Sequence, residues 1–144
     1  MQVFFSNNTP KYIRVFTYFA MREIGMTHLR GKIDIHYKRT IEGECYGLCW
    51  GDNREAEIHI ATKQWGKPVT RQNRLMTLAH ELVHAKQYLK RELRPSDEEG
   101  YVSRWHGVDV PYDPEAEQEM PWEVEAASVE KPIYDKWVEA TGYK

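Results

Sequence analysis

Apolar residues recur along the chain with two different periods, which predict both helices and strands. From Pro10 to Ile24 they recur every three or four positions, and this spacing predicts an amphipathic helix. Thr9 is expected to cap its start, with Pro10 at the first helical position. Gly25 suits the end of the helix, because glycine readily adopts the left-handed conformation found there.

Three shorter segments alternate between apolar and polar residues, as strands with one buried face do. They span Lys32 to Lys38, Cys45 to Trp50 and Glu55 to Ala61. Short turns join them, so we expect an antiparallel meander, with a further short strand or an anchored terminus at Val3 to Phe5. The third of these strands would pair with an extended substrate if it were a free edge.

A second helix is predicted from Arg71 to Arg91, where no glycine or proline interrupts the pattern. Thr70 is the expected N-cap. Apolar residues at alternating spacings of three and four form one stripe, which is expected to face the core. The stripe consists of Leu75, Leu78, Leu82, Ala85 and Leu89.

The C-terminal third is expected to be loop-like after Pro95, up to Met120, and helical from Pro121. Four residues share one face of this last helix, and the two alanines among them would permit close packing against another helix. They are Glu123, Ala126, Ala127 and Glu130. Pro132 is expected to kink or restart the helix.

Composition narrows the class of protein. The 144 residues are enough for one domain, 1–144, and 29% of them are charged. We see no transmembrane segment and no signal-peptide pattern, so a membrane protein is not expected and the cytoplasm is the expected location. Residues 92–130 hold 12 acidic and 2 basic side chains, but no clustered basic patch for nucleic acid is present in the chain.

The candidate chemistry lies in the second predicted helix, which contains the motif H-E-x-x-H. His80 and His84 are four residues apart, so both imidazoles project from the same side, opposite the apolar stripe. This spacing suits two nitrogen ligands of one tetrahedral Zn²⁺. Glu81 lies about 100° round the helix from His80, where it can take a proton from a water that the ion activates.

A catalytic zinc site needs a third protein ligand and one open position. Glu123 is the leading candidate, because it lies near the start of the last helix on its close-packing face. Glu125, which points about 200° away from Glu123, and His106 remain alternatives. Tyr101, Tyr112 or His106 are candidates to stabilise an oxyanion.

The remaining histidines and the cysteines give weaker signals. His36 and His59 lie on predicted strands, and each is expected to be a surface residue because neither has a spaced ligand partner. Cys45 and Cys49 would be about 13 Å apart on a strand, too far for a disulfide. We therefore expect two small, buried thiols rather than a second zinc site.

Three segments together resemble a known family. They are His80-Glu81-Leu82-Val83-His84-Ala85-Lys86-Gln87-Tyr88, Arg104-Trp105-His106-Gly107 and Pro121-Trp122-Glu123-Val124-Glu125-Ala126. Their combination, within roughly residues 71–130, resembles the small SprT-like metallopeptidases often encoded by phages. Glu123-x-x-Ala126 also resembles the third-ligand helix of glutamate-type zincins, whereas SprT proteins proper use a downstream histidine.

The resemblance implies a minimal zincin fold and a zinc peptidase activity on a protein or peptide substrate. We therefore expect an α+β, zincin-like domain with a small antiparallel sheet of about three strands and N-terminal, central and C-terminal helices. The expected metal ligands are His80, His84 and Glu123, with Glu81 as general base. A non-catalytic zinc-binding module and a host-directed regulatory protein are the alternatives, and a phage-encoded protein would act in the host cytoplasm.

Overall fold

The chain has a mixed α and β architecture in a computed structural model that describes residues 1–96 and 102–143. Its helices are α1 (Lys11–Ile24), α2 (Arg71–Leu89) and α3 (Pro121–Thr141), with a 3-10 helix at Pro114–Glu119. Its strands are β1 (Gln2–Phe5), β2 (Lys32–Lys38), β3 (Gly47–Gly51), β4 (Glu55–Ala61), β5 (Lys63–Gln64), β6 (Lys67–Pro68), β7 (Leu93–Pro95), β8 (Val102–Trp105) and β9 (Val108–Pro111). Among these residues no helix is long and apolar enough to cross a membrane.

The main sheet is mixed, and the expected antiparallel meander is wrong. Its strand order is β1-β2-β4-β3, with β1 and β4 parallel to β2 and only β3 antiparallel to its neighbour β4. The strands β2, β3 and β4 occur where the alternation predicted them, although β3 begins at Gly47 instead of Cys45. The chain turns back after β2 as predicted, but β4 inserts between β2 and β3.

Side-chain composition explains why β4 is central and β3 is an edge. The inward residues Ala56, Ile58 and Ile60 of β4 are all buried. A strand with such apolar residues is stabilised most when strands lie on both sides of it. β3 begins and ends with glycine and leaves Leu48 and Trp50 about half exposed. The third predicted strand is therefore not a free edge, and β3 takes that place.

One face of the sheet carries the core, and the helices cover it. The buried cluster combines the inward residues of β2 and β4 with the apolar stripe of α2 and with residues of α1 and α3. Its largest members include Ile33, Ile35, Ile58, Ile60, Leu75, Leu78, Leu82, Phe16 and Trp137. Because strand side chains alternate, the polar residues between these isoleucines lie on the opposite, open face.

The helix ends agree with most of the capping signals. Gly25 closes α1 with a φ of 80°, and the Thr70 hydroxyl accepts a hydrogen bond from the Asn73 amide at 3.2 Å. Two details differ from the sequence prediction. Pro10, not Thr9, occupies the N-cap position of α1 and makes no side-chain cap. α2 ends at Leu89, two residues before the predicted end.

The segment predicted as a loop before α3 contains regular structure, so that prediction is wrong for its described part. β7, β8 and β9 form an antiparallel sheet, followed by the 3-10 helix. His106 and Gly107 join β8 to β9 with φ values of 49° and 81°, which suit a tight hairpin. α3 runs through Pro132 as one helix, and this residue is exposed, where water can satisfy the carbonyl that loses its partner.

Candidate metal centre

α2 and α3 bring His80, His84 and Glu123 into one cluster. The Nε2 atoms of the two histidines are 3.2 Å apart. One Glu123 oxygen lies 3.0 Å from His80 Nε2, and the other lies 3.0 Å from His84 Nε2. Three potential ligand atoms therefore converge on one point between the helices, and Glu123 reaches it from a separate element, as the sequence predicted.

The opposite ring nitrogens of both histidines are held by hydrogen bonds. His80 Nδ1 donates to Glu130 Oε2 at 2.9 Å, and His84 Nδ1 donates to Gln87 Oε1 at 2.8 Å. The direction of the first bond follows from the Glu130 carboxylate, which only accepts when ionised. With Nδ1 protonated, Nε2 of each ring faces Glu123, and the loss of the Nε2 proton gives the tautomer that a metal ligand needs.

Gln87 fixes the direction of the second bond and ties the two helices together. Its side chain is fully buried, and its amide nitrogen donates to the Trp122 carbonyl at 3.0 Å and to Glu125 at 3.1 Å. These two acceptors orient the amide so that its oxygen faces His84. Lys86 also donates to Glu125 at 3.1 Å. The start of α3 is therefore anchored to α2 beside the cluster.

The ligand atoms of the cluster are close enough together to hold one metal ion, such as zinc. Zinc bonds to nitrogen and oxygen of about 2.0–2.1 Å at tetrahedral angles separate neighbouring ligand atoms by about 3.3 Å. The two Nε2 atoms are 3.2 Å apart, and each lies 3.0 Å from a different oxygen of Glu123. Among the described residues this group offers three ligands, so a fourth position would remain for water or substrate.

Glu81 lies in the same helix beside this cluster and is 7% exposed. Burial raises the pKa of its carboxyl group to about 7, although the two neighbouring histidines oppose the shift.

Gly47 of β3 lies close to Glu81 and Thr77. A Cβ at position 47 would lie 3.2 Å from Glu81 Cγ and 2.5 Å from Thr77 Cγ2. The absence of a side chain on Gly47 lets the edge strand approach α2.

The charges of the cluster favour a cation between its members. Burial alone would lower the pKa of His80, but the hydrogen bond with Glu123 and the charges of the nearby glutamates raise it to about 9. Burial would raise the pKa of Glu123, but its hydrogen bonds with both histidines lower it to about 2. Without metal, protons therefore supply the positive charge that holds the carboxylate.

Two clefts open on either side of the cluster. One, of about 670 Å³, is lined by His80, Glu81 and Glu123 together with Cys45, Tyr46 and Gly47. The other, of about 370 Å³, is lined by His84, Glu123 and Tyr88 together with Cys49 and Tyr112. Gly47 of β3 borders the first cleft and Cys49 of the same strand borders the second, so this edge strand runs past both clefts.

The structure does not bring the alternative third ligands to the cluster. Glu125 is paired with Lys86 and Gln87. The His106 ring packs edge-on against Trp105, with 4.4 Å between centroids, in the turn between β8 and β9. Tyr112 does line the second cleft. Tyr101 lies outside the described residues.

Sequence reasoning missed the residues that support the two histidines. Glu130 was placed on the face of Glu123, and that shared face was the available signal for its contact with His80. Gln87 lies three residues after His84, a spacing that also brings side chains together on a helix. Tyr88, four residues after His84, lines the second cleft and was not singled out.

The structure also places the other noted residues. Cys45 and Cys49 are free and partly buried, in agreement with the prediction that they form no disulfide. His36 and His59 were expected to lack partners, but they lie side by side with Glu57 on the open face of the sheet. The parallel pairing of β2 and β4 creates this second cluster.

Comparisons with known proteins found no matching family model, no matching curated protein and no matching solved structure.

Proposed function

We propose that the protein is a zinc-dependent metallopeptidase whose ion is held by His80, His84 and Glu123. The supporting observation is the arrangement of the imidazoles. Both Nε2 atoms point at the Glu123 carboxylate, while both Nδ1 atoms are engaged by Glu130 and Gln87. Two unrelated surface histidines would not be expected to have hydrogen-bond partners that orient both imidazole rings toward the same carboxylate.

The mechanism assigns different tasks to the carboxylates of the cluster. When bound, Zn²⁺ lowers the pKa of a water ligand and polarises the scissile carbonyl. Glu81 removes the proton from the attacking water and later delivers it to the leaving amine. Glu130 keeps His80 in its ligand tautomer, and Gln87 does the same for His84.

An extended peptide is the substrate that the surroundings of the cluster suit best. β3 is an edge strand of the main sheet, and the residues at its start line the cleft that contains Glu81. An edge strand offers unpaired backbone groups to a chain that binds alongside it. The substrate backbone would then lie along β3 with its scissile bond near Glu81.

A zinc-binding module without catalytic activity is the alternative, and a host-directed regulatory protein is another. A structural zinc site is closed by four protein ligands, whereas the cluster among the described residues has three and lies between two clefts. This difference favours catalysis. The minimal zincin fold and the SprT-like relationship are part of the same proposal, with a glutamate as third ligand.

The test combines metal analysis with peptidase assays on four forms of the protein. Zinc analysis should show a loss of bound ion in His80→Ala and in His84→Ala relative to wild type. Glu81→Gln keeps the shape of the side chain but removes the base, so zinc should remain while cleavage of an unfolded protein mixture stops.

Two results would count against the proposal. Full zinc in both histidine variants would place the ion elsewhere, and cleavage by Glu81→Gln at the wild-type rate would remove Glu81 from the mechanism. A zinc-loaded wild type that cleaves neither unfolded proteins nor a random peptide library would favour the non-catalytic module.

A further inference from the structure

A second group of potential metal ligands lies on the open face of the main sheet. β2 and β4 pair in parallel with His36 opposite His59, so the two imidazoles are neighbours on the same face. Glu57 precedes His59 by two residues and therefore projects to that face as well. The ligand atoms of these three residues lie within 4.8 Å of one another.

The contacts inside this group converge on the Glu57 carboxylate. His36 Nε2 lies 3.0 Å from one of its oxygens, and His59 Nε2 lies 3.6 Å from the other. The two imidazole centroids are 4.7 Å apart. Two rings and a bidentate-capable carboxylate thus surround one position, the same donor set as in the cluster between α2 and α3.

His59 supplies an independent observation that points to a missing partner. Its Nε2 atom is buried, and the Glu57 oxygen beside it, at 3.6 Å, is beyond the usual hydrogen-bond distance. The Trp50 ring packs against the imidazole with 4.8 Å between centroids, and His36 packs on it from the neighbouring strand. A buried ring nitrogen without a partner is unfavourable, and a metal ion at this position would engage it.

We propose that His36, Glu57 and His59 form a second site for a divalent transition-metal ion, represented by Zn²⁺. Two imidazoles and one carboxylate favour zinc, nickel or copper over magnesium and calcium, which prefer oxygen ligands. The ion would join the two central strands of the sheet. With side chains that are 13–38% exposed, the site leaves room for water or another ligand on the metal.

The site is tested best in a protein that lacks the first cluster, formed by His80, His84 and Glu123. In the double variant His80→Ala/His84→Ala, any zinc that remains after dialysis belongs elsewhere. We expect about two ions per chain in wild type, one for each three-ligand group, and about one in the double variant. Adding His36→Ala or His59→Ala to the double variant should remove the last ion.

Matched controls separate ligand loss from a general effect on the surface. His28→Ala removes an exposed histidine outside the group, and Glu55→Gln changes a carboxylate on the same strand, so neither should alter the zinc content. Glu57→Gln keeps the size of the side chain but should weaken binding in the double variant. Zinc should also raise the melting temperature of the double variant and leave the His36→Ala triple variant unchanged.

Three results would overturn the proposal. The first is a zinc content in folded His36→Ala and His59→Ala variants equal to that of their parent, with folding checked by circular dichroism. The second is a double variant that binds no zinc, which would leave only a surface contact between His36 and Glu57. The third is displacement of the ion by millimolar Mg²⁺, which would contradict the assigned class of metal. None of them depends on peptidase activity.

Discussion

At the scale of single residues, each polar side chain of the first cluster has a distinct position. Glu123 contacts the Nε2 atoms of both histidines, and Glu130, seven residues later on α3, contacts the far side of His80. Glu125 points to Lys86 and Gln87 instead. Variants of neighbouring glutamates on one helix should therefore have different effects on metal binding.

The first prediction concerns the third ligand. Glu123→Ala should weaken zinc binding strongly, because it removes one of the three proposed metal ligands. Glu125→Ala and His106→Ala should bind zinc almost as wild type does, since neither side chain reaches the cluster. Titration of each variant with zinc in the presence of a competing chelator measures the three affinities. A loss in His106→Ala with normal binding by Glu123→Ala would reverse the assignment.

The second prediction concerns the residues that support the ligands. Glu130→Ala should reduce zinc affinity by roughly 10–100-fold without removing a ligand, because the His80 ring loses the acceptor that orients it. Glu139→Ala, an exposed change on the same helix, is the control. Competition with a chelator gives both affinities, and equal values would show that Glu130 plays no part in the site.

At the scale of elements, the site depends on how closely β3 approaches α2. Gly47 has no room for a Cβ, which would lie 2.5 Å from the methyl group of Thr77. The edge strand can therefore lie against the helix that carries His80 and Glu81, and it forms one wall of the first cleft.

The third prediction follows from this contact. Gly47→Ala should lower the free energy of unfolding by about 1–3 kcal/mol, as overpacking does in tightly packed regions. Thr77→Ser removes the methyl group that a Cβ at position 47 would contact. The double variant Gly47→Ala/Thr77→Ser should therefore recover part of the lost unfolding free energy. Denaturant unfolding of wild type, both single variants and the double variant measures the effect. Additive losses in the double variant would place the strain elsewhere.

At the scale of the whole molecule, the proposed zinc ion joins α2 to α3, which are 39 positions apart at His84 and Glu123 (123 minus 84). A ligand that binds only the folded chain stabilises it through linkage. Zinc at about a hundred times its dissociation constant would add about 2.7 kcal/mol. For a chain of this size that corresponds to roughly 5–10 °C in melting temperature.

The fourth prediction is that this stabilisation grows with pH. Without metal, the pKa of His80 is raised to about 9 and that of His84 is also raised, so both rings tend to hold protons near neutrality. For His80 this contribution to stability is complete below about pH 6.5, the unfolded pKa, and is lost as pH rises through about 9. Zinc must displace these protons, so it binds more tightly at higher pH.

Melting curves with zinc and with chelator, recorded between pH 6.5 and 9, measure the prediction. The chelated protein should lose stability across this range, and the difference between the two curves should widen. The Glu123→Ala variant with chelator is the control for the chelated wild type, because it lacks a carboxylate that raises both pKa values and should lose less stability across this range. A constant difference in wild type would show that the histidines hold no protons that zinc must displace.

Local patterns in the sequence determined most of the secondary structure. The strands Lys32–Lys38 and Glu55–Ala61 were predicted with the observed bounds, and α1 and α2 within two residues. Alternation and three-to-four spacing act within one segment, so the chain alone reveals them. The same holds for His80, Glu81 and His84, because their proximity requires only one turn of helix.

Tertiary structure decided what depends on contacts between distant segments. The insertion of β4 between β2 and β3 follows from the burial of Ala56, Ile58 and Ile60, not from the length of the turns. The same parallel pairing places His36 beside His59, two residues 23 positions apart (59 minus 36). Glu123 was one of three candidates from the sequence, and the packing of α3 on α2 is what places its carboxylate beside the two imidazoles.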